Sequence, residues 1–198
     1  MTKETIPSAR KVELLEAAYR YVLANGLTRL SLRPLATAIG SSPRVLVFLF
    51  GSKDGLVRAV LARARADELA LLGQIGTPGD PSGAGLATAV ERLWTWLAAA
   101  QHRPLLKLWA ETYVSSLVEP DGVWGGFAAA TVHDWLGLLS AHQPARERDS
   151  ADGAARRTLA LAVLRGALLD LLATADQERV SDAVHCHLVL LRLGHHLD

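Results

Sequence analysis

Cysteine is almost absent from this chain of 198 residues, which contains only Cys186. One cysteine cannot form a disulfide within the chain, as expected of a protein in a reducing compartment. A long uncharged apolar run is also missing, because the most apolar segment, residues 159–175, contains Arg165 and Asp170. This segment is therefore expected to be a buried helix and not a membrane span. The polar start of the chain lacks the features of a signal peptide, so we expect a cytoplasmic protein without membrane contact.

Residue patterns for catalysis or metal binding are equally scarce. The sequence has no glycine-rich phosphate loop, no nucleophile elbow and no paired carboxylates at catalytic spacing. His185 and His187 flank Cys186, but residues two apart on a helix point away from each other and cannot share a metal ion. Glu111 lies four residues after Lys107 and is expected to pair with it on a helix. We therefore predict no catalytic residue, no metal, no cofactor and no enzymatic activity.

The net charge of +1 conceals an uneven distribution along the chain. Residues 1–65 contain 11 Lys and Arg against 4 Asp and Glu, a net charge of +7, whereas residues 66–198 contain 10 against 16, a net charge of −6. A basic end on an acidic body is expected when one end binds a polyanion. Basic residues also solvate ordinary helix faces. We favour a polyanion because four cations lie close together in sequence, namely Arg29, Arg33, Arg44 and Lys53.

Apolar residues recur at helical spacing along most of the chain, and half of all residues are apolar. This pattern predicts an all-α protein with a substantial core. We expect an N-terminal three-helix helix-turn-helix domain for DNA binding, residues 1–52, and a C-terminal helical domain for ligand binding and dimerisation, residues 53–198. The helix that opens at Lys53 is expected to be the only covalent route between them. Glycine and proline in residues 76–85 predict a loop.

Residues 31–53, SLRPLATAIGSSPRVLVFLFGSK, predict two short helices with a tight turn between them. Ser31 is expected to cap the first helix and Gly40 to end it, while Ser42 caps the second and Pro43 occupies its first position. In a helix-turn-helix, the N-terminal residues of the second helix contact bases in the major groove. Arg44 is therefore a candidate for base contact. Two short helices around a glycine also occur in all-α proteins that do not bind DNA.

The stretch from Arg10 to Leu56 resembles the N-terminal domain of the TetR family of transcriptional repressors. The matching positions are spread over three helices and their turns: Arg10, Leu15, Ala17, Ala18, Gly26, Ser31, Leu32, Leu35, Ala36, Gly40, Ser42, Leu46, Phe50, Gly51, Ser52, Lys53 and Leu56. The resemblance implies phosphate contacts at Ser31 and Lys53 and base contacts from Ser42 to Val45. The predicted DNA-binding residues are Ser31, Arg33, Ser42, Pro43, Arg44, Val45, Val47 and Lys53.

Two positions depart from the family pattern. The family usually has tyrosine where this chain has Val47, and histidine or tyrosine where it has Leu49. Loss of the tyrosine hydroxyl removes one phosphate contact. This loss would lower the affinity for DNA more than it would change the position of the protein along the duplex. The resemblance covers about the first third of the chain, and beyond it only the number and length of the helices match.

All five tryptophans lie between residues 86 and 139, in three predicted amphipathic helices. Aromatic residues at helical spacing fill hydrophobic cores more often than they line ligand sites. The same faces carry polar side chains that would need partners if buried, which favours a cavity with apolar walls and a few polar groups. We expect a small apolar or amphipathic ligand there. The predicted ligand-binding residues are Trp94, Leu97, Trp109, Thr112, Tyr113, Ser116, Trp124, Phe127, Thr131, Asp134, Trp135 and Arg165.

The last two predicted helices, residues 154–175 and 178–196, have more apolar surface than a monomer can cover. They are expected to form a four-helix interface in a homodimer, and the resembled family dimerises in this way. The predicted interface residues are Leu159, Ala162, Val163, Gly166, Leu169, Val184, His187, Leu188 and Leu191.

These patterns together favour a ligand-responsive DNA-binding transcriptional regulator. We expect a repressor that a small apolar effector releases from a palindromic operator by changing the tilt of the helix beginning at Lys53. One alternative is a helical small-molecule or partner-binding protein that has lost operator recognition, which Val47 and Leu49 would explain. A third hypothesis is an all-α enzyme that uses the cavity.

Overall fold

The structure is a computed structural model that describes residues 9–28, 30–74 and 85–194. Within these ranges the regular elements are helices and no strand is present, which confirms the all-α prediction. A short 3-10 turn, Ala100–His102, precedes α6. The helices are α1 Ala9–Asn25, α2 Leu32–Ala38, α3 Pro43–Phe50, α4 Lys53–Gln74, α5 Leu86–Ala98, α6 Arg103–Val118, α7 Phe127–Ala141, α8 Ala145–Arg148, α9 Ala151–Thr174 and α10 Gln177–Gly194. The predicted loop at residues 76–85 lies almost wholly outside the described residues.

The chain divides into two compact units, called unit 1 and unit 2 below. Unit 1 comprises Met1–Glu68 and Lys107–Gly125, and unit 2 comprises Leu69–Leu106 and Gly126–Asp198. This division differs from the predicted boundary after residue 52, because the first part of α4 and most of α6 pack into unit 1. The expectation that α4 is the only covalent route between the units is corrected, since the chain also passes between them within α6, after Leu106, and again after Gly125.

Unit 1 has a hydrophobic core formed by α1 to α4 and part of α6. Helix α2 packs against α1 and α3. Helix α1 buries Leu14, Ala18, Tyr19 and Val22, whereas Val12 is 47% exposed. The core includes Leu14, Ala18, Tyr19, Val22, Leu27, Leu35, Leu46, Phe50, Leu56, Val60, Leu108 and Trp109.

A cluster of polar side chains joins α1 to the first part of α4 in unit 1. Arg63 forms ion pairs with Glu16 and Asp67, and the Tyr19 hydroxyl donates to Asp67 at 2.8 Å. The Arg63 guanidinium also lies 5.1 Å from the centre of the Tyr19 ring. Burial and the Asp67 carboxylate raise the pKa of Tyr19, and hydrogen bonds to both carboxylates raise the pKa of Arg63. The phenol therefore stays protonated and the guanidinium stays charged at neutral pH.

Unit 2 is organised around α9, which packs against α5, α7, α8 and α10. One apolar face of α9 is buried, at Leu161, Leu164, Leu168 and Leu171. Helix α10 also packs against α5, where the Trp94 indole N–H donates to the Ser181 hydroxyl at 3.1 Å. The segment between α7 and α9 contains the short helix α8, and the Ser150 hydroxyl caps α9 by accepting the Gly153 N–H.

Within the described part of the chain, no helix combines the length and apolar character needed to cross a membrane. Although α9 has 24 residues, ion pairs anchor both its ends, from Asp152 to Arg156 and from Asp170 to Arg179. The buried-helix prediction for residues 159–175 holds for one face only, because Leu161, Leu164, Leu168 and Leu171 are buried whereas Leu159 and Leu169 are 57% and 49% exposed.

Candidate nucleic-acid interface

The predicted helix-turn-helix is present as α2, a short turn and α3. Gly40 ends the first helix with a φ of +63°, a backbone conformation that favours glycine. The Ser42 hydroxyl accepts the N–H of Val45 at 3.3 Å, and Pro43 is the first residue of α3, as predicted. Ser31 directly precedes α2, but its side chain makes no capping hydrogen bond, so this part of the prediction is corrected. The Ser31 side chain is exposed, so its hydroxyl can form a hydrogen bond with a group other than the α2 backbone.

Helix α3 buries one face in unit 1 and exposes the other. Leu46 and Phe50 are buried, whereas Arg44 is exposed and Val45 and Val47 are 39% and 41% exposed. Phe48 is 86% exposed and was missing from the predicted site. Its position could have been read from the sequence. It follows Arg44 by four residues and Val45 by three, so all three lie side by side on the outer surface of the helix.

Exposed cationic side chains lie on α3 and on the helices that precede and follow it in unit 1. Arg33 on α2, Arg44 on α3, and Lys53 and Arg58 on α4 are all exposed. Among the described residues, none of these four side chains has a recorded ion-pair partner. The only acidic residue in the first turn of α4 is Asp54. Arg29, which was expected to join this group, lies outside the described residues.

The corner between α3 and α4 fixes Lys53 beside the end of α3. Gly51 has a φ of +81°, and the Ser52 hydroxyl accepts the N–H of Gly55 at 2.9 Å. A Cβ atom on Gly55 would lie 2.0 Å from the Phe50 carbonyl oxygen, so no larger residue fits without moving the backbone. This tight corner places Lys53, the first residue of α4, three residues after the end of α3.

Glu111 on α6 holds the connection between α1 and α2. Its carboxylate accepts the backbone N–H groups of Leu27 and Thr28, at 2.9 and 2.6 Å, and the Thr28 hydroxyl. Sequence analysis expected Glu111 to pair with Lys107, four residues earlier, and this expectation is corrected. The actual partners are about 80 residues away in sequence, so no local pattern could have revealed them.

The residues predicted to bind ligand are distributed over both units. Unit 1 contains Trp109, Thr112, Tyr113, Ser116 and Trp124. There the Trp109 and Tyr113 rings lie 5.0 Å apart, and the Trp109 indole nitrogen is buried without a hydrogen-bond acceptor in the described structure. Thr112, in contrast, donates to the Leu108 carbonyl. Trp124 was expected within a helix but lies in the turn before α7, where its indole N–H donates to Glu119.

The remaining predicted ligand residues lie in unit 2, namely Trp94, Leu97, Phe127, Thr131, Asp134, Trp135 and Arg165. Leu97, Thr131 and Trp135 are buried. Unit 2 also has a recess of about 300 Å³ between α5 and α10, whose lining includes Trp94, Thr95 and His185. Of the predicted ligand residues, only Trp94 lines this recess, so the recess itself does not support the predicted site.

The predicted dimer interface is partly exposed and partly buried in the protomer. Leu159 and Leu169 on α9 are 57% and 49% exposed, and Ala162 and Gly166 between them are exposed. Val184 and Leu188 on α10 are instead 0% and 2% exposed within unit 2, so these two belong to the protomer core. The large apolar side chains that α10 exposes are Val189, Leu190 and Leu193. Val163, His187 and Leu191 are half-buried.

The described residues contain no group of three His, Cys, Asp or Glu side chains that could hold a metal ion. His187 is half-buried, and this burial lowers its pKa. Cys186 is exposed and unpaired on α10.

Comparison with protein-family models gives no match, and no curated protein is significantly similar in sequence. Solved structures, in contrast, match over almost the whole chain. A TetR transcription regulator from Haloarcula marismortui is 17% identical, with a TM-score of 0.72 over 91% of this chain and 95% of that one. A TetR-like transcriptional regulator from Rhodococcus sp. RHA1 is 20% identical, with a TM-score of 0.64 over 96% of this chain and 100% of that one.

The multidrug-binding protein EbrR, in complex with imidazole, is 23% identical, with a TM-score of 0.65 over 91% of this chain and 90% of that one. TM-scores of 0.64 to 0.72 over at least 90% of both chains show a shared architecture. The agreement extends through the C-terminal helices, which the sequence resemblance did not reach. The chain has the fold of the TetR-family transcriptional regulators.

Proposed function

We propose that this protein is a DNA-binding transcriptional regulator whose α3 reads bases in the major groove. The observation that carries the proposal is the outer face of α3, where Arg44 lies exposed beside apolar side chains, while α2 and α4 carry further exposed cations. Cations provide sequence-independent attraction to phosphates, while side chains on the groove-facing helix provide specificity. Ser31, Arg33 and Lys53 would contact phosphates, and Ser42 to Val45 with Val47 would face bases.

We further propose that the regulator acts as a homodimer on a palindromic operator. The exposed apolar stripe of α9, from Leu159 through Gly166 to Leu169, is the main support. Leaving several such side chains in water is unfavourable, and a second copy of the same stripe would cover them in a two-fold arrangement. Val189, Leu190 and Leu193 of α10 extend the predicted surface and replace Val184 and Leu188.

A small, mostly apolar effector is proposed to control DNA binding. The buried Trp109 indole N–H lacks an acceptor, and a ligand with one acceptor atom would satisfy it. The EbrR structures with imidazole and proflavin give a precedent for small aromatic ligands in a protein of this fold. We infer that ligand and operator oppose each other, so that the protein is a repressor.

The proposed coupling uses both helices that contribute to unit 1 and unit 2. Arg63 ties the first part of α4 to α1, and Glu111 ties α6 to the turn that leads into α2. A shift of either helix would move the helix-turn-helix with it. Thermodynamic linkage makes this effect reciprocal. If the ligand lowers the affinity of the protein for the operator by some factor, the operator lowers the affinity of the protein for the ligand by the same factor.

The alternative is a helical ligand- or partner-binding protein that no longer recognises an operator. It is favoured by one observation, the exposed apolar Val47 at the position where the resembled family usually has a tyrosine whose hydroxyl contacts phosphate. Selection of bound fragments from a random duplex pool separates the two functions. A regulator enriches a palindrome, whereas a protein without operator recognition returns the pool unchanged.

A further inference from the structure

We propose that Phe48, with Val45 beside it, reads thymine in the operator through the 5-methyl group of the base. The inference rests on the proposed DNA-binding function and specifies what the outer face of α3 recognises. Phe48 is 86% exposed, the largest value among the exposed large apolar side chains of the described residues.

The geometry of α3 places Phe48 at the centre of its outward face. Leu46 and Phe50, two residues to either side, are buried, so Phe48 must project away from the core of unit 1. Arg44 and Val45 occupy the neighbouring positions one turn earlier. Any duplex that Arg44 touches along α3 would therefore also meet Phe48.

The chemistry of a phenyl ring limits which base it can read. It has no hydrogen-bond donor or acceptor, so it cannot recognise the polar edges of guanine, adenine or cytosine in the major groove. The thymine methyl is the apolar group that the major groove presents. Val45, 39% exposed, adds a second apolar surface next to the ring.

The surrounding charge favours DNA over a protein as the occupant of this face. Arg33, Arg44, Lys53 and Arg58 are exposed on α2, α3 and α4, with Asp54 as the one acidic side chain in the first turn of α4. An apolar reading face on a helix whose neighbours carry exposed cations suits a groove lined by phosphates. The apolar stripe of α9, which we assign to contact with a second copy of the chain, is a different surface, because α9 belongs to unit 2 and α3 to unit 1.

Uracil substitution in the operator provides the test, because it removes the methyl group and leaves every hydrogen bond of the base pair in place. The full-length protein is titrated with the palindrome selected from the random pool and with duplexes in which each thymine in turn, in both half-sites, is replaced by uracil. When uracil replaces the thymine next to Phe48, we expect the affinity of the protein for the duplex to fall about fourfold for each methyl group removed. This factor corresponds to the free energy of burying one methylene-sized group.

Two protein variants then assign the effect to its side chain. Phe48→Ala should bind the thymine and uracil duplexes equally at that position. Val12→Ala, a matched truncation of an exposed residue on α1, should keep the difference. Because Phe48 and Val12 are both exposed, both variants should unfold at the same temperature as the wild type.

The outcomes are distinct. Failure to enrich any sequence contradicts the proposed function and, with it, this inference. An enriched operator that loses no affinity at any uracil position, or a Phe48→Ala variant that still discriminates at the same position, contradicts the thymine-reading role alone.

Discussion

The carboxylate of Glu111 accepts the backbone N–H of Leu27 at 2.9 Å, across 84 residues of intervening chain. The neighbouring N–H and hydroxyl of Thr28 bind the same carboxylate. One side chain of α6 thus satisfies three donors in the turn that orients α2. A residue that holds the helix-turn-helix in position therefore lies outside the segment that resembles a DNA-binding domain.

Glu111→Gln should destabilise the protein by about 1–3 kcal/mol, because the amide has one acceptor oxygen and brings an N–H₂ group towards backbone donors. Denaturant unfolding of the full chain measures this loss. Asp121→Asn provides the matched control, since Asp121 is exposed in the same unit and should change stability little. Equal unfolding midpoints for the two variants would show that the Glu111 contacts contribute nothing to the fold.

Arg44→Ala should weaken operator binding by about 1–3 kcal/mol and relax the base preference at one position in each half-site. Lys53→Ala should weaken binding to all duplexes alike and reduce the salt dependence, because its contact is with phosphate. Binding titrations over a panel of single-base operator variants at several salt concentrations distinguish the two effects. An Arg44 variant with an unaltered base preference would remove Arg44 from the base-reading role.

Gly166→Leu should weaken the proposed dimer without harming the protomer. Nothing lies within 4 Å of a Cβ atom on Gly166, so leucine fits in the isolated chain. Overpacking a close helix contact costs about 1–3 kcal/mol. Gly137→Leu on α7 is a suitable control, because that position is also exposed and open in the protomer. Sedimentation at micromolar concentration should show that only the Gly166 variant dissociates, whereas a monomeric wild type would end the hypothesis.

Because of His187, we expect the free energy of unfolding to fall as the pH is lowered through about 6.5. Burial lowers its pKa from the ordinary value of 6.5, so the unfolded chain binds a proton more readily than the folded one. The stabilising contribution is complete above 6.5 and is lost as the pH falls towards the folded-state pKa. Unfolding free energies at pH 7.5 and pH 5 should therefore differ more for the wild type than for His187→Gln. An identical difference in both proteins would exclude this linkage.

The helix-turn-helix could be predicted closely because its signals are local. Gly40, Ser42, Pro43 and Gly51 set helix ends through their own backbone preferences or through bonds to near neighbours. The exposure of Phe48 follows from the same helical period. The prediction failed where burial depends on distant partners. Helical spacing identified the apolar positions of α10, but it did not reveal that α5 and α9 cover Val184 and Leu188 within the protomer.

The contacts of Glu111 illustrate the same limit for polar groups. A carboxylate four residues after a lysine suggests a helical ion pair, and that pattern says nothing about backbone donors that the fold brings near. The division of α4 and α6 between the two units is a property of packing and was likewise not visible in composition or loop signals.

An equilibrium binding measurement distinguishes sequence-specific DNA binding from general attraction to a polyanion. The full-length protein is titrated with its selected palindrome and with a scrambled duplex of the same length and composition, at one physiological salt concentration. We predict that the palindrome binds at least about a thousandfold more tightly, the lower end of the range for specific regulators. Equal affinity for the two duplexes would contradict the account.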